Sequence, residues 1–323
     1  MIIHGLRAAI LLCAALLPAR VLAEAGPSET LLQRMQQAYH QLNFELTLVE
    51  SRQGQLEPKR LTRGHLDDQV LTHLTHLNGR PREFVQRNDE ISFFDASHDG
   101  YTLRHSRLPG LFNRLQQLSL KELLTHYEAV IAGRSRVLGR VAEVVRLVPR
   151  AEHYYGYVLW LDQESGLLLK LDTLDPEAGL VEQTMGVALT ISEQPAGFLR
   201  ELKGAALPPA MSLSELYPVP QQPLSWHAQW LPAGFEVLSR DKHKLPVTEQ
   251  PVDYLMASNG VVDISVYVSQ AGAASEPRQQ LVRQGATHLV SLVSPSRVEI
   301  TVVGDIPAET ARRIAESVKP VEP

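Results

Sequence analysis

The sequence has 323 residues, of which 44% are hydrophobic and 21% are charged, and its formal net charge is −5 at pH 7. This composition excludes a disordered chain and a collagen-like polymer, and the length is sufficient for two domains. The acidic balance argues against nucleic acid as a partner, because the phosphate backbone binds basic surfaces.

The first 23 residues have the order of a secretory signal peptide. Arg7 precedes an apolar run over residues 8–17, and the segment ends with the small residue Ala23. The run is too short to span a bilayer, so we expect cleavage after Ala23 and a location in the periplasm. Cys13, the single cysteine, lies inside this segment, so the mature chain is expected to have no disulfide and no cysteine-ligated metal.

A helix is predicted directly after the signal, over residues 30–42. Thr30 and Gln33 fit a capping box at its start. Apolar residues then recur at helical spacing, which predicts a buried face made of Leu31, Met35, Ala38 and Leu42.

Strands are predicted in the region that follows. Apolar and polar residues alternate over residues 43–50, and residues 82–87 and 91–94 flank the turn-forming pair Asn88-Asp89. A short helix is predicted after Ser119.

The strongest strand signals lie between residues 154 and 191. Residues 154–160 are apolar on both faces, a turn follows, the chain returns over residues 167–174, and residues 181–191 alternate. Strands of this kind need cover on both faces, which a closed or half-closed barrel with helices inside provides. We therefore predict an α+β fold with a large, curved antiparallel β-sheet that forms such a barrel in a first domain, residues 24–206.

A proline-rich linker and a smaller α+β domain are predicted next. Residues 207–225 contain five prolines, which disfavour helix and sheet. In the second domain, residues 226–323, the turn Ser258-Asn259-Gly260 indicates a hairpin. Two further strands are predicted over residues 287–293 and 298–303, and a final helix over residues 307–318.

Motifs that commonly identify an active site are absent from the sequence. It contains no Gly-x-Ser-x-Gly, His-Glu-x-x-His, Gly-x-x-x-x-Gly-Lys or Gly-x-Gly-x-x-Gly. We therefore predict a binding protein that is not an enzyme and that needs no cofactor. An envelope hydrolase built from distant residues stays as an alternative, because catalytic residues need not be adjacent in sequence.

Pairs of ionisable residues favour structural roles. His73 and His76 lie in a predicted strand, which sends them to opposite faces, so no metal site is predicted. Glu122 and His126 are one helical turn apart, which favours an exposed pair on the helix surface.

Basic residues cluster in the early strands of an otherwise acidic chain. A solvated face is the favoured interpretation, and an anionic partner or a lipid phosphate is the alternative. The cluster consists of Lys59, Arg60, Arg63, Arg80, Arg82 and Arg87.

A ligand cavity and a partner surface are predicted from apolar residues. Inward residues of a half-open barrel line any apolar ligand it holds, although a register slip of one residue reverses the faces. The lining candidates are Phe44, Leu46, Leu48, Val85, Ile91, Phe93, Tyr157, Leu159, Leu189 and Ile191. Exposed Trp and Phe anchors concentrate interface energy, so a partner is predicted to dock at the start of the second domain. The partner-binding candidates, which alternatively seat this domain on the linker, are Trp226, Trp230, Leu231 and Phe235.

Four stretches of the sequence together carry a family resemblance. They are residues 82–94, 157–166, 230–235 and 299–307. In this order they resemble the RseB/MucB family, the periplasmic negative regulators of the sigma-E (AlgU-type) envelope stress response. The resemblance spans nearly the whole mature chain and is weakest over residues 95–133.

The resemblance implies a fold and a function. It implies a first domain similar to the lipoprotein carriers LolA and LolB, a large antiparallel half-open β-barrel with helices plugging it, which is joined to a smaller C-terminal α+β domain. It also implies that the protein binds the periplasmic segment of an anti-sigma factor of the RseA or MucA type. The family shields that segment from its site-1 protease. A lipid-bearing signal, such as lipopolysaccharide or lipoprotein acyl chains, is implied to release the regulator. No short binding motif carries over from the family to single residues.

Besides the hydrolase, one other alternative function stays open at this point. A periplasmic lipid or lipoprotein carrier would share the barrel but would deliver cargo to an acceptor, and the second domain favours the regulator. The sequence leaves the oligomeric state open, a homo-oligomer included.

Overall fold

The structure is a computed structural model that describes residues 26–67, 69–104, 106–211, 224–243, 252–272 and 279–321. The predicted signal peptide and residues 212–223 of the predicted linker lie outside the described residues. Within the described ranges, no helix is long and apolar enough to cross a bilayer.

The first domain is built on one large sheet. Its strands are β1 (Asn43–Arg52), β2 (Gln55–Leu66), β3 (Gln69–His76), β4 (Arg82–Arg87), β5 (Glu90–Asp95), β6 (His98–Arg104), β7 (Tyr127–Val137), β8 (Arg140–Pro149), β9 (Gly156–Asp162), β10 (Leu168–Leu174), β11 (Leu180–Ser192) and β12 (Ala210–Met211). They are ordered β12-β6-β5-β4-β3-β2-β1-β11-β10-β9-β8-β7. All neighbours are antiparallel except β12 and β6. The edge strands β7 and β12 do not pair, so the sheet stays open and the half-open architecture is confirmed.

One face of this sheet, here called the inner face, packs against the domain's own helices. Leu46, Leu61, Leu74 and Phe84 occupy neighbouring register positions on this face. They form one core with buried residues of α1 (Pro27–Gln41), α2 (Leu111–Leu115) and α3 (Leu120–His126). The helices therefore cover apolar strand residues that the curved sheet alone would expose.

The opposite, outer face is covered in part by α4 (Gly197–Gly204). Leu199 of this helix packs with Leu66 and Leu71. The Arg87 guanidinium donates to the carbonyls of Leu202 and Ala205 at the end of α4. This cation places a positive charge at the C-terminal end of the helix, where the helix dipole favours it.

The second domain has a sheet of its own. Its strands are β14 (Glu236–His243), β15 (Val252–Ser258), β16 (Asp263–Gln270), β17 (Gln279–Gln284), β18 (Thr287–Val293) and β19 (Val298–Gly304), ordered β14-β15-β16-β19-β18-β17. Helix α5 (Ala308–Glu316) packs through Ala311, Ile314 and Ala315, as its spacing predicts. A small ladder joins β13 (Trp226–Ala228) to β20 (Val318–Pro320). Both strand pairs predicted for this domain are confirmed.

The predicted capping box of the first helix is wrong. Helix α1 begins at Pro27, and Thr30 lies in its first turns with its hydroxyl donating to the Gly26 carbonyl. Proline fits the first helical position because its missing N–H would have no partner there. The buried face therefore consists of Leu32, Met35, Ala38 and Tyr39.

Candidate functional site between the two domains

The two domains meet where α2 and the β8–β9 loop of the first face the turns of the second. Arg114 of α2 contacts the β15–β16 hairpin twice. Its Nη2 lies 2.9 Å from Asp263 Oδ2, and its Nη1 donates to the Val261 carbonyl at 2.9 Å. This one side chain therefore fixes the hairpin turn against the inner helices.

Tyr155 makes the most buried polar contact between the domains. Its hydroxyl lies 3.0 Å from His288 Nδ1 and donates to the Ile306 carbonyl at 3.1 Å. Burial raises the pKa of Tyr155 and lowers the pKa of His288, so both groups are held neutral. A neutral network of this kind orients the domains without an uncompensated charge.

Aromatic rings extend this contact on one side. Tyr154 stacks on Phe235 with ring centroids 6.0 Å apart, and its hydroxyl donates to the Ala233 carbonyl. His153 meets the edge of Trp230, whose ring also lies 4.0 Å beneath the Arg313 guanidinium. The start of the second domain is thereby seated on residues of the first.

A cluster of charges lies on the other side, at the ends of β1, β2 and β11. Glu50 accepts bonds from Lys59 and from Arg52 Nη2, the latter at 2.7 Å. Arg52 Nε lies 3.3 Å from Glu182 Oε2, which also accepts a bond at 3.3 Å from the backbone N–H of Ala286 in the second domain. Glu182 therefore connects the cluster to the turn after β17.

The two carboxyl groups of this cluster differ in acidity. Burial raises the pKa of Glu182 to about 7, and the neighbouring Glu50 adds to this while Arg52 opposes it. Burial also disfavours ionised Glu50, but attraction to Lys59 and Arg52 outweighs it and lowers its pKa below the usual value. The pair therefore shares one proton between its members over the mildly acidic range.

Two neighbouring cavities open at this place. One of about 300 Å³ is bounded by Leu48, Leu74, Phe84 and Phe112, by the charges of Glu50, Arg52 and Lys59, and by Gln284 of the second domain. A second of about 130 Å³ shares Arg52 and Gly110 with it and reaches Tyr155, Glu182 and Ala286. A ligand that enters the inner face here would therefore touch both domains.

We expect Glu182→Gln to remove a pH dependence of stability. Because the pKa of Glu182 is raised in the folded state, its contribution is complete below about pH 4.5 and is lost as the pH rises through about 7. The unfolding free energy of the unmodified protein should therefore fall relative to Glu182→Gln between pH 5 and pH 8, by at most about 3 kcal/mol. Urea unfolding at both pH values measures this difference.

The matched control is Glu193→Gln, which changes an exposed carboxyl in the loop after β11. It should leave the pH dependence unchanged. Equal pH profiles for Glu182→Gln and the unmodified protein would contradict the assignment of the raised pKa to this carboxyl.

The inner face collects most of the predicted lining residues. Nine of the ten occupy register positions on it, and Val85 is the exception because it pairs with His73 and Ser92 on the outer face. Six of the nine are buried in the core that also contains residues of the inner helices, Phe93 and Leu189 pack against that core, and Ile191 is 38% exposed. Leu48, Phe93 and Tyr157 also border cavities. Their role in holding a ligand stays a prediction.

The predicted partner-binding residues make contacts inside the chain. Trp226 is buried, and its Nε1 donates to Asp253 Oδ2 at 3.0 Å. Trp230 and Phe235 pack on residues of the first domain, as described above, and Leu231 is partly buried against the core. These contacts fit the seating alternative, and the binding of a partner here stays a prediction.

The ionisable pairs have separate environments. His73 and His76 lie on opposite faces of β3, as predicted, since His73 contacts Phe198 outside and His76 borders the inner cavity. The predicted pair of Glu122 and His126 is not an exposed surface contact, because His126 packs on Tyr154 at 5.9 Å and faces the second domain. Among the described residues, no group of three or more His, Cys, Asp or Glu is placed to hold a metal ion.

The basic cluster does not form one surface. Arg63 is buried, with its guanidinium 4.4 Å from the Tyr39 ring centroid and Nη1 donating to Thr72. Lys59 faces Glu50, and Arg82 Nε lies 3.0 Å from Asp95 Oδ2. These cations are therefore divided between the core, the interdomain cavity and α4.

Sequence reasoning missed the polar residues of the interdomain contact. Arg114, Tyr155, Glu182 and His288 stand in unremarkable local patterns and are brought together only by docking of the domains. The available signal was the run of tyrosines at residues 154–157, because a buried tyrosine hydroxyl usually needs a hydrogen-bond partner.

The structure is that of a two-domain protein with a cavity at the domain boundary. Its first domain is an open antiparallel sheet filled by its own helices, and a polar and aromatic contact joins it to the sheet of the second domain. A family model described as the MucB/RseB N-terminal domain matches residues 27–211, and one described as the MucB/RseB C-terminal domain matches residues 220–319. The chain belongs to the MucB/RseB family.

Relatives and solved structures match 92% of the chain. The sigma-E factor regulatory protein RseB of Escherichia coli K12 is 34% identical over 300 residues, which is 92% of each chain. The sigma factor AlgU regulatory protein MucB of Pseudomonas aeruginosa is 29% identical over 307 residues, again 92% of each. A structure described as the Pseudomonas aeruginosa MucA/MucB complex matches with a TM-score of 0.73 at 25% identity, covering 92% of this chain and all of that one. A crystal structure of MucB in complex with MucA(peri) matches with a TM-score of 0.70 at 27% identity over the same shares.

Proposed function

We propose that this chain is a periplasmic regulator that binds the periplasmic segment of a transmembrane anti-sigma factor of the RseA or MucA type. In this proposal it shields the segment from site-1 proteolysis and so keeps the envelope stress response off. It acts by occlusion and not by catalysis. Because Ala210–Met211 form strand β12 of the first sheet, the proposed linker between the two domains is the part of residues 207–225 that follows Met211.

The observation that carries this proposal is the likeness of both domains to MucB chains that were solved with MucA. The match covers 92% of this chain, so it spans both domains and not one domain alone. Membership of the MucB/RseB family supports the same function.

The interdomain cavities support release by a lipid-bearing signal. Arg52 borders both cavities, and Gln284 and Ala286 of the second domain contribute to their walls. A ligand there changes the contacts of both domains at once. If the ligand weakens binding of the anti-sigma factor, linkage requires that the anti-sigma factor weakens binding of the ligand by the same factor. A coupling free energy of about 1–3 kcal/mol changes each affinity roughly 5- to 150-fold.

Protection from cleavage tests the proposal. The soluble periplasmic region of the RseA/MucA-type protein from the same genome is incubated with its site-1 protease and increasing amounts of this protein. At about 100 times the Kd, roughly one per cent of the segment is uncovered, so cleavage should slow about 100-fold.

The control is an unrelated substrate of the same protease, whose cleavage should not change. Slower cleavage of both substrates would identify a protease inhibitor. Unchanged cleavage of the anti-sigma segment at saturating protein would contradict the proposed function.

A further inference from the structure

The second domain exposes one edge of its sheet at β17. In the described part of the chain, this strand pairs only with β18, and all six of its residues are exposed. Leu281 and Val282 are 55% and 57% exposed, and as sequence neighbours in a strand they point to opposite faces. Leu281 lies opposite the buried Val290, so it extends the buried face of the sheet one strand beyond the core.

β17 lacks the features with which proteins protect an edge strand. Its register with β18 is regular over all six residues, and Gln279–Gln284 contains no proline. Its one charged side chain, Arg283, is turned to the following turn, where Nε donates to the Gly285 carbonyl at 3.0 Å. Charges, prolines and bulges are the usual means of preventing a further strand from pairing.

The other edge of the same sheet, β14, has those features. Its pairing with β15 contains an irregularity between Val237 and Ser239. Its sequence, Glu236–His243, carries charged residues at both ends. The contrast within one sheet indicates that the open edge at β17 serves a purpose and is not a general property of the domain.

The free edge leads to the interdomain cavity. Gln284, the last residue of β17, borders the cavity of about 300 Å³, and the next residues, Gly285 and Ala286, contact Arg52 and Glu182. A chain that runs along β17 therefore reaches the cavity at one of its ends.

We propose that β17 accepts an extended segment of the anti-sigma factor as an additional strand, which continues from the sheet edge to the mouth of the interdomain cavity. This inference rests on the proposed function and names the surface that performs it. Strand addition supplies main-chain hydrogen bonds, and Leu281 and Val282 provide apolar contacts on both faces.

Strand addition also explains protection from a protease. Proteolysis requires an accessible, unpaired backbone, and pairing along β17 occupies the backbone groups of the bound segment. A second copy of this chain is a weaker occupant of the edge. Pairing of two six-residue strands buries far less than the roughly 1,200 Å² of a stable dimer, whereas the segment gains further contacts in the cavity.

Hydrogen exchange tests the proposal on the unmodified protein. In an antiparallel edge strand, every second N–H points away from its neighbour and exchanges freely. Saturation with the soluble periplasmic region of the anti-sigma protein should slow exchange at least about 10-fold at alternate amides of residues 279–284. The amides of β14 should not change.

A pair of matched variants tests the side chains. Val282→Lys places a charge on the β17 edge. Leu238→Lys places a charge on the β14 edge, at a position that is 60% exposed. Val282→Lys should weaken binding of the segment at least about 10-fold in fluorescence anisotropy, and Leu238→Lys by less than about 2-fold. Because both side chains are exposed, both variants should unfold at the same urea concentration as the unmodified protein.

Three results would overturn the inference. In the first, the segment binds and is shielded from the protease, but hydrogen exchange over residues 279–284 does not change. This result would leave the proposed function intact and refute strand addition at β17. A segment that does not bind at all would refute both. In the third, hydrogen exchange of the β17 amides slows with increasing protein concentration in the absence of the segment, and Val282→Lys abolishes both this slowing and a dimer. That result would assign the edge to a second copy of the chain.

Discussion

Tyr155→Ala should lower the free energy of unfolding by about 3–5 kcal/mol, because it empties a buried site and removes a contact between the domains. It also leaves His288 Nδ1 without the hydroxyl that lies 3.0 Å away. With this anchor lost, we expect the single unfolding transition to separate into two. Urea unfolding followed by tryptophan fluorescence measures this, since Trp160 reports on the first domain and Trp226 and Trp230 on the second.

Tyr155→Phe is the matched control. It keeps the ring and removes only the hydroxyl, so the loss should be about 1 kcal/mol and the transition should stay single. His288 keeps its contact with the Ile306 carbonyl at 2.8 Å in this variant. A loss below about 1 kcal/mol for Tyr155→Ala, in one transition, would show that Tyr155 does not couple the domains.

Gly285→Ala should open the contact between the charge cluster and the second domain. Gly285 has a φ of +61°, and a Cβ at this position would lie 2.6 Å from Glu182 Oε2 and 3.0 Å from Arg52 Cγ. Glu182 can avoid this overlap only by leaving the Ala286 N–H. Backbone strain and overlap together should lower stability by about 2–4 kcal/mol.

Gly260→Ala separates the two causes. Gly260 also has a positive φ, +83°, but its Cβ would meet Glu122 Oε2 at an ordinary 3.6 Å. Gly260→Ala should therefore lose only the stability that backbone strain costs, about 1–2 kcal/mol. In the Gly285→Ala background, the pH effect of Glu182→Gln should also shrink, because the displaced carboxyl is no longer buried. Equal losses for the two glycine variants would refute a close contact at Gly285.

The local elements were predictable because their signals are local. Alternation in β1, the Asn259-Gly260 turn between β15 and β16, and the spacing of Ala311, Ile314 and Ala315 in α5 each depend on neighbours a few residues away. Family resemblance added that the barrel is half-open, a point on which the strand pattern alone leaves a closed barrel as an alternative.

The errors arise where a short pattern has two solutions. The residue types and spacing of Thr30 and Gln33 fit a capping box, but Pro27 allows the helix to begin one turn earlier. Val85 is apolar like Phe84 and Phe93, and only the strand register with His73 and Ser92 assigns it to the outer face.

The sequence by itself determined the elements, the acidic chain without a cysteine after residue 13, and the family of the protein, because these depend on residue identity and short spacing. Tertiary structure alone decided the interdomain site. Arg114 and Asp263 are 149 positions apart, and Glu182 and Ala286 are 104 apart, so no local pattern records that they meet. Tertiary structure also decided that β17 is an edge strand, because within the described ranges only β18 pairs with it and no local pattern predicts which strands are neighbours.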